Sequence, residues 1–294
     1  MKPALRQLLD RYEPVTRADF ESALREIAQE LALLGLWRAR FFEHASFYGG
    51  MALRIFHGLR RFSEDLDFSL LAPKPGFRLA GYLGAVEDEL TAHGFAVEVV
   101  PRGKAVATAV ESAFLKASTA VNLLRIGAPV GMVAGLPASQ VLRVKIEIDT
   151  NPPPGAGHEV RTLFQPIPFQ VRLFRLPDLF AGKVHALLWR KWGRRVKGRD
   201  FYDFVWYVGR GVECHLAHLE ARMRQSGHWG GEGTLTADAL RDLLVAHFER
   251  VDLDAARRDV LPFLRDRDEV ALWSAGFFKD LAGRMLVEDQ PATG

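Results

Sequence analysis

The chain has a single cysteine, Cys214, so no intrachain disulfide can form and its stability rests on non-covalent packing alone. Cysteine scarcity also argues against a closed zinc site, which wants four ligands in paired clusters. The neighbouring Cys214, His215 and His218 fall on a stretch that reads as an amphipathic helix. No run of about eighteen apolar residues is present to cross a bilayer, and the first twenty residues contain no apolar stretch of signal-peptide type. A cytoplasmic protein without a membrane partner is therefore expected. Internal repeats and low-complexity tracts are missing too. A strong excess of one charge is also lacking: 39 Lys and Arg against 36 Asp and Glu leave a net charge of +3, too little by itself to argue for a nucleic-acid partner. What the chain does have is a globular composition, 48% hydrophobic and 26% charged over 294 residues, enough for two domains with cores of their own.

Apolar spacing divides the chain into elements. Phe20, Leu24, Ile27, Leu31 and Leu34 recur every three or four residues, which predicts an amphipathic helix over residues 16–36 with Thr16 as its N-cap. Gly49 and Gly50 precede a helical stretch, and a basic turn with Arg60 and Arg61 follows it. Asp65-Leu66-Asp67-Phe68-Ser69-Leu70 then alternates polar and apolar, which predicts a strand with Asp65 and Asp67 on one face and Leu66, Phe68 and Leu70 in the core. Residues 79–93 read as a helix, 96–100 as a strand and 114–125 as a further strand. Val141–Asp149 alternates more cleanly, placing Glu147 and Asp149 on its polar face, and Asn151-Pro152-Pro153-Pro154-Gly155 stops it. A strand over Phe169–Phe174 is followed by a helix from Pro177 to about Trp192, a turn, and a second helix from near Arg199. Later helices are expected at 236–249, 254–265 and 269–286. The fold class is α+β: a mixed α/β domain with N-terminal helices over residues 1–175 and a helical domain over 176–294.

Five features carry candidate chemistry, and each has a purely structural reading beside it. The Asp65/Asp67 pair offers hard oxygen ligands to Mg²⁺, which needs only one or two carboxylates beside a triphosphate; the alternative is a surface strand with solvated acids. Gly49 and Gly50 before a helix could receive phosphate oxygens on bare N–H groups, or simply form a tight turn. Ser63 could donate to a phosphate or cap the local turn. Glu147, with Asp149 as understudy, could join the metal or take a proton from an attacking hydroxyl if its strand lies beside that of Asp65; the alternative is an edge strand showing charges to water. Lys183, Arg190, Lys191, Arg194, Arg195, Lys197 and Arg199 form a basic stretch with no acid among them, suited to phosphates or to a solvated helix end. The aromatics at 201, 202, 204, 206 and 207 read as core, and His185 as a packing residue.

Taken in order, GGMALRIF, RFSEDLDF, VKIEID, and KVHALL followed by RDFYDF resemble the AbiEii/AbiGii-type nucleotidyltransferases, toxins of type IV toxin–antitoxin and phage-abortive systems. The likeness runs from about Tyr48 to Val208. It implies a DNA-polymerase-β-like nucleotidyltransferase fold, with Gly49, Gly50 and Ser63 at the triphosphate, Asp65 and Asp67 on the metal, and Glu147 at the third acidic position. It also implies Lys183 and Arg199 at phosphates, with Asp200 and Asp203 orienting Lys183 or serving the acceptor. One departure is that Gly50 stands where the superfamily usually has serine, which gives Ser63 more weight.

The implied activity is Mg²⁺-dependent transfer of a nucleotide from a nucleoside triphosphate to RNA, with a tRNA 3′ end as the expected acceptor. A cognate antitoxin is expected as partner. Competing readings are nucleotidylation of a protein or a small hydroxylated molecule such as an antibiotic, and a non-catalytic scaffold that only binds RNA or a partner. The last would survive replacement of Asp67.

Overall fold

The computed structural model describes residues 3–101, 109–125, 130–134, 136, 139–190, 196–230 and 232–288. The chain divides into two compact units, one comprising Met1–Ala52, Glu64–Pro152 and Val160–Leu173, the other Leu53–Ser63, Pro153–Glu159 and Phe174–Gly294.

The first unit opens with α1 (Pro3–Asp10) and α2 (Arg17–Arg38). Thr16 caps α2 as its sequence foretells: its hydroxyl accepts from the Asp19 N–H at 3.2 Å, and the Asp19 carboxylate accepts from the Thr16 N–H at 2.8 Å. Leu24, Ile27, Leu31 and Leu34 are fully buried, each contributing roughly 2 kcal/mol of transfer free energy. A short 3₁₀ turn at Phe41–Glu43 leads to β1 (Ala45–Tyr48), α3 (Gly49–His57) and β2 (Asp65–Leu70). Then come α4 (Ala80–Ala92), β3 (Val97–Pro101), β4 (Val110–Ser118), α5 (Thr119–Arg125), the single turn α6 (Val130–Val133) and β5 (Val141–Asp149). A hairpin of β6 (His158–Leu163) and β7 (Phe169–Phe174) completes the sheet.

The seven strands lie in the order β3-β4-β5-β2-β1-β7-β6. Both β2–β5 and β1–β7 are parallel, whereas β1–β2, β3–β4 and β4–β5 are antiparallel, so the sheet is mixed and the architecture α+β. Strand β5 is central rather than an edge, which removes the reading of Glu147 as a charge on an exposed rim.

The second unit contains α7 (Leu176–Trp189), α8 (Gly198–Gly209), β8 (Glu213–His215), α9 (Leu216–Gln225), α10 (Ala237–Arg250), α11 (Leu253–Val260), α12 (Ala275–Arg284) and β9 (Leu286–Glu288). Its core is aromatic: Phe180 stacks on Tyr207 at 4.3 Å, and Phe201, Phe204, Phe248 and Phe278 pack edge to face or tilted around them.

Several expectations are corrected. The strand expected over 114–125 starts at Val110 and ends at Ser118, and 119–125 is helical. The buried Asn122 amide enforces the turn, accepting from Ala96 N–H and donating to the carbonyls of Ala96 and Ser118. Cys214 and His215 lie on a strand, since Cys214 pairs with Val287 from the far end of the chain, and the helix begins only at Leu216. The helix expected over 254–265 stops at Val260, where Pro262 enters a 3₁₀ turn. The helix expected over 269–286 starts only after Ser274, whose hydroxyl accepts from the Phe277 N–H at 3.1 Å. The β1 and β6 strands have no counterpart in the sequence reading.

Candidate functional site

Register, not mere proximity, assembles the acids of the first unit. Asp65 and Asp67 are half-buried and lie two residues apart on β2, with Leu66, Phe68 and Leu70 buried on the opposite face. On the parallel neighbour β5, Lys145 stands opposite Asp65 and Glu147 opposite Asp67. Across β1, Tyr48 pairs with Asp67, and across β4, Ser112 pairs with Glu147. Because paired residues share a face, Tyr48, Asp67, Glu147 and Ser112 form one polar row across four strands, with strand spacings of about 4.8 Å. Asp149 sits one step further along the same face, opposite Ser69. Neither Tyr48 nor Ser112 stands out in the sequence, because their membership depends on pairing rather than on any local pattern.

Gly49 closes one side of the row. Its φ of +81° is left-handed, and a Cβ there would lie 2.5 Å from the Asp67 Oδ2, so glycine is required twice over. The Asp67 carboxylate therefore rests against bare backbone at the start of α3, where the helix dipole favours anions. Gly50, the next residue, is buried in the first turn of α3.

The donors suit a hard divalent cation: Asp65 and Asp67 present oxygens on one face, and Glu147 adds a carboxylate directly across the strand pair. Glu147 itself is engaged by Lys145, with Nζ 2.6 Å from Oε1. Among the described residues no three His, Cys, Asp or Glu side chains stand together as a ready-made metal cluster. Two aspartates with phosphate and water oxygens meet the demand of Mg²⁺.

The second unit holds the other group of sequence candidates as a buried ion network. Lys183, on α7, donates to Asp200 at 2.8 Å and lies 2.7 Å from Asp203, both on α8. Arg61, which the sequence shows only as part of a basic turn, grips Asp203 with two bonds of 2.6 Å. Arg190 reaches Asp200 at 3.5 Å. Burial alone would raise the Asp200 pKa, but Lys183, Arg190 and Lys197 outweigh it and hold it at about 2. Asp203 is likewise held below the usual carboxylate range, burial being overcome by Arg61 and Lys183. Lys197 moves the other way, brought down to about 8 by burial and by Arg190.

The Arg199 guanidinium lies over the Phe263 ring at 4.1 Å. Ser63 is buried within the Leu53–Ser63 segment of the second unit. Lys191, Arg194 and Arg195 of the basic stretch lie outside the described residues. Phe201, Tyr202, Phe204 and Tyr207 are core, in keeping with their reading as packing residues, and Trp206 carries Arg210 over its ring at 4.5 Å. The Cys214 thiol is buried, which pushes its pKa well up and leaves it unreactive. Among the described residues no helix is long and apolar enough to cross a membrane.

A family model described as Nucleotidyl transferase AbiEii toxin, Type IV TA system, matches residues 31–278. No curated protein matches the chain. A crystal structure of a candidate nucleotidyltransferase from H. pylori shares the fold at 17% identity and a TM-score of 0.50, covering 88% of this chain and 92% of that one. The crystal structure of JHP933 from Helicobacter pylori aligns at 18% identity and a TM-score of 0.49, covering 89% and 90%.

Proposed function

The chain belongs to the AbiEii nucleotidyltransferase toxin family of type IV toxin–antitoxin systems, and on that premise we propose that it transfers a nucleotide from a nucleoside triphosphate to the 3′ end of an RNA, a tRNA in particular. Membership makes the protein a nucleotidyltransferase and implies an antitoxin partner. The acceptor and the use of Mg²⁺ are our reading. The observation that carries it is the row of Asp67 and Glu147 on paired strands, with Asp65 beside it and Gly49 backbone against Asp67.

In this reading the acceptor hydroxyl oxygen attacks the α-phosphorus, a new O–P bond forms, the bond to the β-phosphate oxygen breaks, and pyrophosphate leaves. Asp65 and Asp67 would hold the divalent cation, which supplies charge neutralisation at the phosphates. Glu147 lies across from Asp67 and would receive the hydroxyl proton once Lys145 is displaced from it. The N–H groups at the start of α3 would donate to non-bridging phosphate oxygens, which glycine allows to approach closely. In the second unit Lys183 is a fixed cation, shared by two aspartates, and is assigned to a substrate phosphate.

Incubation of the full chain with α-labelled nucleoside triphosphates, Mg²⁺ and total RNA should label RNA of tRNA size. Label on protein or small molecules with none on RNA would refute the acceptor assignment. Asp67→Asn should lower transfer by at least about a thousandfold, in line with the loss of an electrostatic group at a phosphoryl centre. A variant that kept both its fold and its growth arrest would mark a binder rather than a transferase.

A further inference from the structure

At the other end of β1 from Gly49, the first unit has a pocket of about 580 Å³ lined in part by Trp37, Arg38, Arg40, Phe42, Gln170 and Arg172, with the Glu43 carboxylate, held by Arg40, also on its wall. That volume lies within the range of about 300–1,000 Å³ typical of ligand sites. Its chemistry combines guanidinium groups with aromatic rings, the pairing that takes phosphates and bases together.

The arginines are not equivalent. Arg38 is paired with Glu89 at 2.6 Å and Arg40 with Glu43 at 2.7 Å. Arg172 is half-buried on β7 and its side chain has no hydrogen-bond or ion-pair partner among the described residues. An arginine oriented by a strand and left without an acid is suited to an incoming anion. Beside it, Trp37 is supported by Phe169 at a ring distance of 6.0 Å, and Phe42 by Phe41 at 5.7 Å, so both rings are held in place before any ligand arrives.

Register relates the pocket to the acids. Phe47 pairs with Leu173 in parallel, which sets Arg172 level with Ser46. Alternation then puts Arg172 on the face of Ser46 and Tyr48, and Tyr48 is opposite Asp67. Two strand spacings and two residues along the strand separate Arg172 from Asp67, about 12 Å. A free nucleotide confined to the pocket would be idle there, whereas a single strand whose terminus lies at the acids would cross it.

We propose that this pocket holds a nucleoside-phosphate unit of the single-stranded end of the RNA acceptor, with a phosphate on Arg172 and a base against Trp37 and Phe42. The pocket thereby fixes the strand upstream of the attacking hydroxyl. The inference rests on the RNA-acceptor reading of the preceding section and goes beyond it by naming where the strand runs.

The test uses the full chain and two probes: a fluorescein-labelled single-stranded 12-nucleotide RNA followed by anisotropy, and a nucleoside triphosphate followed by calorimetry. Arg172→Glu should weaken RNA binding roughly tenfold or more and make the salt slope shallower by about one phosphate contact, with Arg172→Lys recovering part of the loss. Triphosphate binding and the melting temperature should stay at wild-type values, since Arg172 has no internal partner. RNA affinity unchanged in Arg172→Glu, with the wild type binding RNA normally, overturns the pocket assignment alone. Weakened triphosphate binding with RNA unaffected makes it a free-nucleotide site and also overturns the proposal. A wild type that binds no RNA at all overturns the proposal together with the acceptor reading on which it depends.

Discussion

Gly49 and Asp203 show how much a single residue can carry. Gly49 must adopt a positive φ of +81° and must also leave room for Asp67 Oδ2, which would lie 2.5 Å from any Cβ. Gly49→Ala should cost about 1–3 kcal/mol in backbone strain and displace Asp67, so calorimetric Tm and nucleotide transfer should fall together. A Gly49→Ala protein with wild-type Tm would contradict the assigned geometry. Asp203 is the second case. It is fully buried between Arg61 and Lys183, so Asp203→Ala strands the buried Arg61, leaves Lys183 with Asp200 alone, and should destabilise the chain by about 3–5 kcal/mol in urea unfolding, against the 0–1 kcal/mol of a surface pair. A loss below about 1 kcal/mol would mean that water reaches the network. The same carboxylates set an acid limit. Asp200 falls from its ordinary 3.8 to about 2 on folding, so its contribution is complete above about pH 4 and is lost as pH drops from there through 2. Unfolding followed from pH 6 to 2 should show stability declining in that window, and removing the nearest cation, as in Lys183→Met, should flatten the decline. The alternation around Asp65, Asp67 and Glu147 could be read from local sequence because period two fixes the face. Arg61 could not, since its partner lies 142 residues away and nothing near Arg61 announces it.

Elements were legible where periodicity was strong and their partners were near. The β5 and β7 strands match their expected limits residue for residue, and α2 carries the expected cap. Failures cluster where a distant segment decides. Cys214 and His215 are strand because β9 offers a ladder at the far end of the chain, and 119–125 is helix because Asn122 ties the turn to Ala96. β6 is an exposed edge strand with little alternation, so its pattern carried no signal. Helix packing adds a constraint of the same kind. Gly35 lies in the last turn of α2, and a Cβ there would meet the Ala85 carbonyl oxygen at 2.7 Å on α4. Alanine within a helix gains at most about 1 kcal/mol over glycine in propensity. Overpacking against backbone costs about 1–3 kcal/mol, because a carbonyl cannot rotate aside as a side chain can. The second effect should win, and Gly35→Ala should lower Tm by a few degrees. An unchanged or higher Tm would show that α2 and α4 separate freely.

At the scale of the molecule, charge decides how RNA would be held. A net charge of +3 generates little long-range field, so attraction must come from local cations. The sequence counts seven basic residues between Lys183 and Arg199, yet folding spends part of that charge internally: Lys183 is shared by Asp200 and Asp203, and Arg190 leans on Asp200. In the first unit Arg38 and Arg40 are likewise neutralised, leaving Arg172 as the arginine of its pocket without an ion pair among the described residues. Few phosphates should therefore be neutralised on binding. Each contact on a single strand contributes about −0.7 to the slope of log K against log salt, so two or three contacts predict a slope of about −1.4 to −2.1. Anisotropy titrations of wild-type protein with single-stranded RNA across a range of salt concentrations would measure it. A slope steeper than about −5 would require a continuous basic track and would show that the internal ion pairs open to receive the nucleic acid.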